Sequence, residues 1–190
     1  MRLHRTITDD RPLLVVALEE EAAHLHVSEL PVLVTGVGKV NAAVAVAAIL
    51  REFSPSRVVN LGTAGALADG LDGIHLVGTV VQHDFDHDGL LALTGLHFGM
   101  PISTADRGLT LATGDVFVSD PDKRAQLAQV ADLVDMEGYA VAAASTNAGV
   151  PVTLVKRVSD SAGAEAARSW RESVDECAEH LGDWVHANLL

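Results

Sequence analysis

Short, unbroken apolar runs, each stopping in a polar or glycine-rich cluster, constrain this chain more than any other feature. LLVVAL (Leu13–Leu18), PVLVTG (Pro31–Gly36), RVVNLG (Arg57–Gly62) and HLVGTVVQH (His75–His83) are too short for core helices. They read as strands buried on both faces. TLATGDVFV, ADLVDM and VPVTLVKRVSD continue the series. Helical segments stand between them. EEEAAHL places acids where the helix dipole favours them, and VGKVNAAVAVAAILREF is an Ala-rich helix of about four turns. SDPDKRAQLAQV opens on Ser119 as N-cap, and EGYAVAAASTNAG ends at Gly149. The last segment lines up Trp170, Val174, Cys177, Leu181, Trp184 or Val185, and Asn188 on one stripe, as an amphipathic helix does. The polar stretch up to Gly108 reads as a long loop.

Strands separated by helices predict a single-domain three-layer α/β/α fold over residues 1–190, with a mostly parallel or mixed twisted central sheet. Ligands of such folds sit at the carboxyl ends of strands. Six clusters occupy those places: Glu19–Glu21, Gly36–Lys39, Gly62–Ala66, Gly114–Val118, Asp135–Glu137 and Ser159–Asp160.

Charge narrows the partners. Against 26 acidic residues stand 13 basic ones, a net charge of −13, which repels a phosphate backbone and argues against nucleic acid. Cys177 is the only cysteine, so no intrachain disulfide or thiolate cluster is available. The first residues lack the apolar core of a signal peptide, and no apolar run is long enough to span a bilayer. A cytoplasmic protein without a membrane partner is expected.

Each cluster has two readings. The Glu19–Glu21 triplet is either a solvated helix start or the source of a base for water. TGVGKVN and NLGTAGAL are tight turns or places where backbone approaches a ligand, and neither fits a phosphate loop. DFDHDG begins like a calcium loop, but Gly95 stands where the closing acid belongs; a structured loop is the better reading, and no metal is expected. Glu137 is either a helix-start acid or a carboxylate gripping sugar hydroxyls. Asp160, in RVSDSAG, is either a turn residue or a general acid.

Taken in order, ALEEEAAHL, TGVGKVNAA, VVNLGTAGAL, VVQHDFD, TGDVFV, LVDMEGYAVA and VPVTLVKRVSD resemble the purine nucleoside phosphorylase and nucleosidase superfamily. The methylthioadenosine/adenosylhomocysteine nucleosidase branch is the nearest in pattern. The resemblance runs from Leu13 to about Trp170. It implies that Glu21 activates water and Asp160, beside Ser159, hydrogen-bonds or protonates purine N7. By the same resemblance Thr63 helps hold water and ribose, Phe117 stacks on the base and Val118 contacts the base edge. Met136 and Glu137 match the pair that holds the ribose, Asp135 supports them, and Trp170 closes over the nucleoside. No cofactor is implied, and a homodimer is, with the loop near Phe98 to Pro101 completing the neighbour's pocket.

The implied reaction is N-glycosidic hydrolysis of a purine nucleoside, a 5′-thio-substituted adenosine first, with Asp160 protonated and Glu21 ionised. Futalosine-type hydrolysis and phosphorolysis are the alternatives, and a nucleoside-binding protein without turnover is the rival from another class. Three departures bear on the pocket. Only about ten residues join Glu21 to Pro31, Lys156 stands where an arginine is usual, and Ala66 replaces a common glycine. A lysine keeps the charge but loses the bidentate fork.

Overall fold

A computed structural model of the chain describes residues 1–25 and 28–190. Its strands are β1 (Arg2–His4), β2 (Leu13–Val16), β3 (Val32–Val34), β4 (Val58–Ala66), β5 (Ile74–Gln82), β6 (Ile102–Ser103), β7 (Leu109–Thr113), β8 (Leu133–Asp135) and β9 (Val152–Asp160). Its helices are α1 (Glu19–Ala22), α2 (Lys39–Glu52), α3 (His87–Thr94), α4 (Pro121–Leu127), α5 (Gly138–Asn147) and α6 (Ala166–Leu189). The expected join between Glu21 and Pro31 falls partly on His26 and Val27, outside the described residues.

The three layers follow from alternation along β2. Leu13 and Val15 point to one face, where they meet Ala42, Val46 and Ile49 of α2 and Val141 of α5. Leu14 and Val16 point to the other, against Ala22, Leu25 and the Leu181 and Val185 stripe of α6. Each such side chain, once buried, contributes about 1.5–3 kcal/mol. The C-terminal stripe is seated as its periodicity predicts at Cys177, Leu181 and Val185; Asn188, at its end, is exposed.

The sheet is mixed. β2 runs parallel to β3 and β4, β4 to β9, and β7 to β5 and β8, while β1–β3, β4–β8, β5–β6 and β5–β9 are antiparallel. Because β9 pairs with both β4 and β5, the path β4–β8–β7–β5–β9 returns to β4. The central sheet, mixed as expected, is therefore closed into a ring on one side.

Other expectations need correction. The stretch expected as a long loop carries helix α3, capped by Asp86 accepting from the Gly89 N–H at 2.9 Å, and the short strand β6. No α3 residue is buried, so the apolar periodicity that reveals a core helix is missing there. The N-cap of α4 is Asp120, not Ser119: its carboxylate accepts from Asp122 and Lys123 N–H at 2.8 and 2.9 Å, and Pro121 takes the first helical position. Strand β1 lies on the sheet edge, too short and exposed to show in the pattern.

Candidate active site

All six clusters meet at one cavity of about 210 Å³. Glu21 arrives from the short helix after β2, Val37 from the turn before α2, and Gly62 to Gly65 from β4. Phe117 and Val118 follow β7, Asp135 to Glu137 follow β8, and Ser159 and Asp160 end β9. Lys156 rises from within β9, and Trp170 from the second turn of α6. Every residue singled out in the sequence for substrate or chemistry thus lines the same space.

A register shift explains how two consecutive residues of one strand reach one cavity. Side chains alternate along a strand, but the β4–β9 register slips between Ala64 and Gly65, so that Gly65 pairs with Asp160. Such a bulge re-aims its residues. Ser159 Oγ then donates to Asp160 Oδ2 at 2.8 Å, and the Ala162 N–H holds Oδ1 at 2.8 Å.

Glu21 is buried and accepts four hydrogen bonds. Thr63 N–H and Thr63 Oγ1 donate to Oε1 at 2.9 and 3.2 Å, and the Ala17 and Leu18 N–H groups to Oε2 at 3.0 and 3.3 Å. Gly62 makes room for this carboxylate: a Cβ there would lie 3.1 Å from Oε1 and 3.5 Å from Lys156 Nζ.

The far side of the floor is organised by charge. Lys156, only 2% exposed, pairs with Asp135 Oδ2 at 2.9 Å. Thr113 Oγ1 donates to the other Asp135 oxygen at 2.6 Å, and the Gly138 N–H donates to Oδ2 at 2.8 Å. Asp135 therefore holds the first N–H of α5 and anchors the lysine, with both oxygens engaged. Burial alone would lower the Lys156 pKa, but the carboxylates of Asp135 and Glu137 outweigh it and raise the value. Glu137 receives one N–H, from Gly38 at 2.7 Å. Burial and the neighbouring Asp135 carboxylate push its pKa up to about 8, against the pull of that N–H and of Lys156.

The rest of the wall is apolar: Val118 and Val134 are buried, and Phe117 stands 44% exposed at the mouth. The loop bearing Phe117 is tied down at its start. Asp115 Oδ1 accepts from the Lys39 N–H at 2.7 Å, and the Asp115 N–H donates to Asp84 Oδ2 at 2.9 Å, while Lys39 Nζ reaches Asp84 Oδ1 at 2.5 Å. In DFDHDG, then, Asp84 serves this anchor and Asp86 caps α3. Among the described residues no group of three or more His, Cys, Asp or Glu is placed to hold a metal ion. Asn60 also lines the cavity, although only its burial inside the apolar run VVNLG hints at it in the sequence.

An apolar wall beside a floor of carboxylates, with Lys156 the one cationic residue among the described lining residues, suits a ring joined to a polyhydroxylated group. The phosphorylase superfamily model matches residues 19–98 and 97–187. The chain belongs to the phosphorylase superfamily. Among relatives within it, the 5′-methylthioadenosine/S-adenosylhomocysteine nucleosidase of Bacillus licheniformis is 32% identical over 185 residues, 83% of this chain and 79% of that protein. The protein of the same name from a Geobacillus strain is 29% identical over 209 residues, 96% and 90% of the two chains. Two solved structures share the fold. Helicobacter pylori futalosine hydrolase superposes with a TM-score of 0.85 at 21% identity, covering 94% of this chain and 97% of that one. A 5′-methylthioadenosine-bound nucleosidase mutant from the same organism gives 0.81 at 20% identity, covering 95% and 98%.

Proposed function

We propose that this chain is a nucleosidase that hydrolyses the N-glycosidic bond of a purine nucleoside, with a 5′-thio-substituted adenosine as first candidate substrate. The observation that carries the reading is the convergence of Glu21, Glu137 and Asp160 on one cavity. Nucleosidase relatives near 30% identity over most of the chain support it.

In this reading the purine lies against Phe117 and Val118, and its N7 faces Asp160, which Ser159 and the Ala162 N–H orient. Asp160 delivers a proton to N7 as the C1′–N9 bond breaks and its electron pair leaves with the base. Positive charge grows on the sugar, as in glycoside hydrolysis, and Glu137 and Met136 hold the ribose at its hydroxyl edge. Water attacks C1′ and gives its proton to Glu21; free base and sugar leave. Each acid–base role contributes about 10²–10⁴-fold. Phosphate as nucleophile is disfavoured, because Lys156 is already paired with Asp135 and the described lining residues include no arginine.

Chromatographic detection of free base tests the proposal, with methylthioadenosine, adenosylhomocysteine, adenosine, inosine and futalosine, each with and without phosphate. Phosphate-independent release, lost in Glu137→Gln, is the expected result. Release that requires phosphate would make the chain a phosphorylase, and binding without release a nucleoside-binding protein. The reading includes a homodimer, supported by exposed Leu93, Leu96, Phe98 and Met100 along and after α3. Light scattering at twice the chain mass checks it.

A further inference from the structure

Trp170 does more than wall the cavity. Its indole Nε1–H donates to Thr63 Oγ1 at 3.0 Å, and Thr63 Oγ1 in turn donates to Glu21 Oε1 at 3.2 Å. An indole N–H can only donate and an ionised carboxylate can only accept, so the direction of this chain of bonds is set at both ends. Of the four donors on Glu21, three are backbone N–H groups held by the fold. The Thr63 hydroxyl is the fourth, and it alone turns freely about its C–O bond. With the Trp170 N–H lodged on its oxygen, the hydroxyl proton is directed to the carboxylate.

We infer that Trp170 is a positioning residue: its N–H locks the Thr63 hydroxyl onto Glu21 and so fixes how that carboxylate meets water. The inference rests on the nucleosidase reading and goes beyond an aromatic ring that closes over a nucleoside, for which phenylalanine would serve equally well. The same helix steadies the acid side of the cavity. One turn after Trp170, Ser173 Oγ donates to the Ser159 carbonyl at 3.1 Å. Helix α6 thereby touches the base through Trp170 and Thr63, and the acid through the strand end that carries Asp160. A single element thus contacts both sides of the cavity.

The experiment compares Trp170→Phe, Thr63→Val, Thr63→Ser and the double variant Trp170→Phe/Thr63→Val in base release, after thermal melting shows each is folded. Loss of one net hydrogen bond amounts to roughly tenfold at most, so Trp170→Phe is expected to lower kcat by about 3- to 10-fold with KM nearly unchanged. In the Thr63→Val background the same change is expected to cost nothing further. An unchanged kcat in Trp170→Phe, a rise in KM alone, or losses that multiply in the double variant would overturn the inference. A second readout does not depend on turnover. The indole ¹⁵N–¹H signal of Trp170 is expected to shift and exchange faster in Thr63→Val, to stay in place in Thr63→Ser, and to leave Trp184 unmoved in both. A Trp170 signal indifferent to Thr63→Val removes the relay whatever the turnover. Wild-type protein that releases no base while the signal responds as expected removes the nucleosidase reading instead.

Discussion

The two sides of the cavity floor hold carboxylates by opposite means. At Glu21 no cation among the described residues comes within direct ion-pair distance, and Lys156 acts on it only from beyond Gly62; four neutral donors surround the group, three of them fixed by the backbone. At Asp135 and Glu137 one buried ammonium stands against two acids, and Glu137 has a single N–H besides. Dipoles that cannot rearrange hold the first carboxylate in place. The second site is short of compensation, and its pKa shift records the shortfall. A group short of compensation gains most from a partner that becomes positive, while one ringed by donors is held in a fixed orientation.

The largest effect that would break this contrast is at Glu21. Glu21→Gln puts an amide N–H₂ against donors that need an acceptor, so base release is expected to fall by about 10²–10⁴-fold, measured as single-turnover product. Retained turnover would mean that the donor-ringed carboxylate is not the base. Next comes Lys156→Met, which leaves Asp135 buried without its cation. Denaturant unfolding is expected to show a loss of about 3–5 kcal/mol, largely restored by adding Asp135→Asn.

The third effect depends on pH. The Glu137 pKa is raised from its ordinary value to about 8, so its contribution to stability is complete below the ordinary carboxyl range and is lost as pH rises through about 8. Glu137→Gln, which cannot ionise, is expected to melt higher than wild type at pH 9 and no higher at pH 4, by a few kcal/mol at most. A difference that does not change with pH would show Glu137 to be as well compensated as Glu21. The smallest effect concerns the apolar wall. Asp115→Ala frees the Phe117 loop from the start of α2 and is expected to raise KM by roughly 3- to 10-fold, with kcat held, in steady-state base release.

How much of this was legible in the sequence differs by element. The fully buried runs such as LLVV announce themselves because both faces are apolar, and the three layers follow from the helices between them. The strand-end clusters gather because a sheet with parallel strands brings its carboxyl ends together. What the pattern hid was local or non-local in specific ways. Helix α3 buries nothing, so it left no periodicity. The Asp120 cap was visible through Pro121 at the first helical position, a signal that outranks the neighbouring Ser119. Closure of the ring depends on β9 choosing both β4 and β5 as partners, which no single segment encodes. The roles within the floor were hidden for the same reason. That Asp135 takes Lys156 while Glu137 takes only Gly38 depends on contacts between residues far apart in the chain, and so does the bond from Trp170 to Thr63.

That ring has a consequence for how the protein comes into being. β9 is the last strand in the chain, yet it is the one that joins β4 to β5. A nascent chain ending before residue 152 lacks α6 as well as β9, so it leaves one face of β2 uncovered and two long strands, β4 and β5, unpaired along one side. It also leaves Asp135 without Lys156 and Glu21 without the wall that carries Asp160. β9 closes the ring, sets Lys156 against the buried Asp135 and brings Asp160 to the cavity, and α6 after it adds Trp170. The closed ring and the cavity thus both depend on residues after 151, so a chain stalled short of them would expose strand edges and lack a complete site.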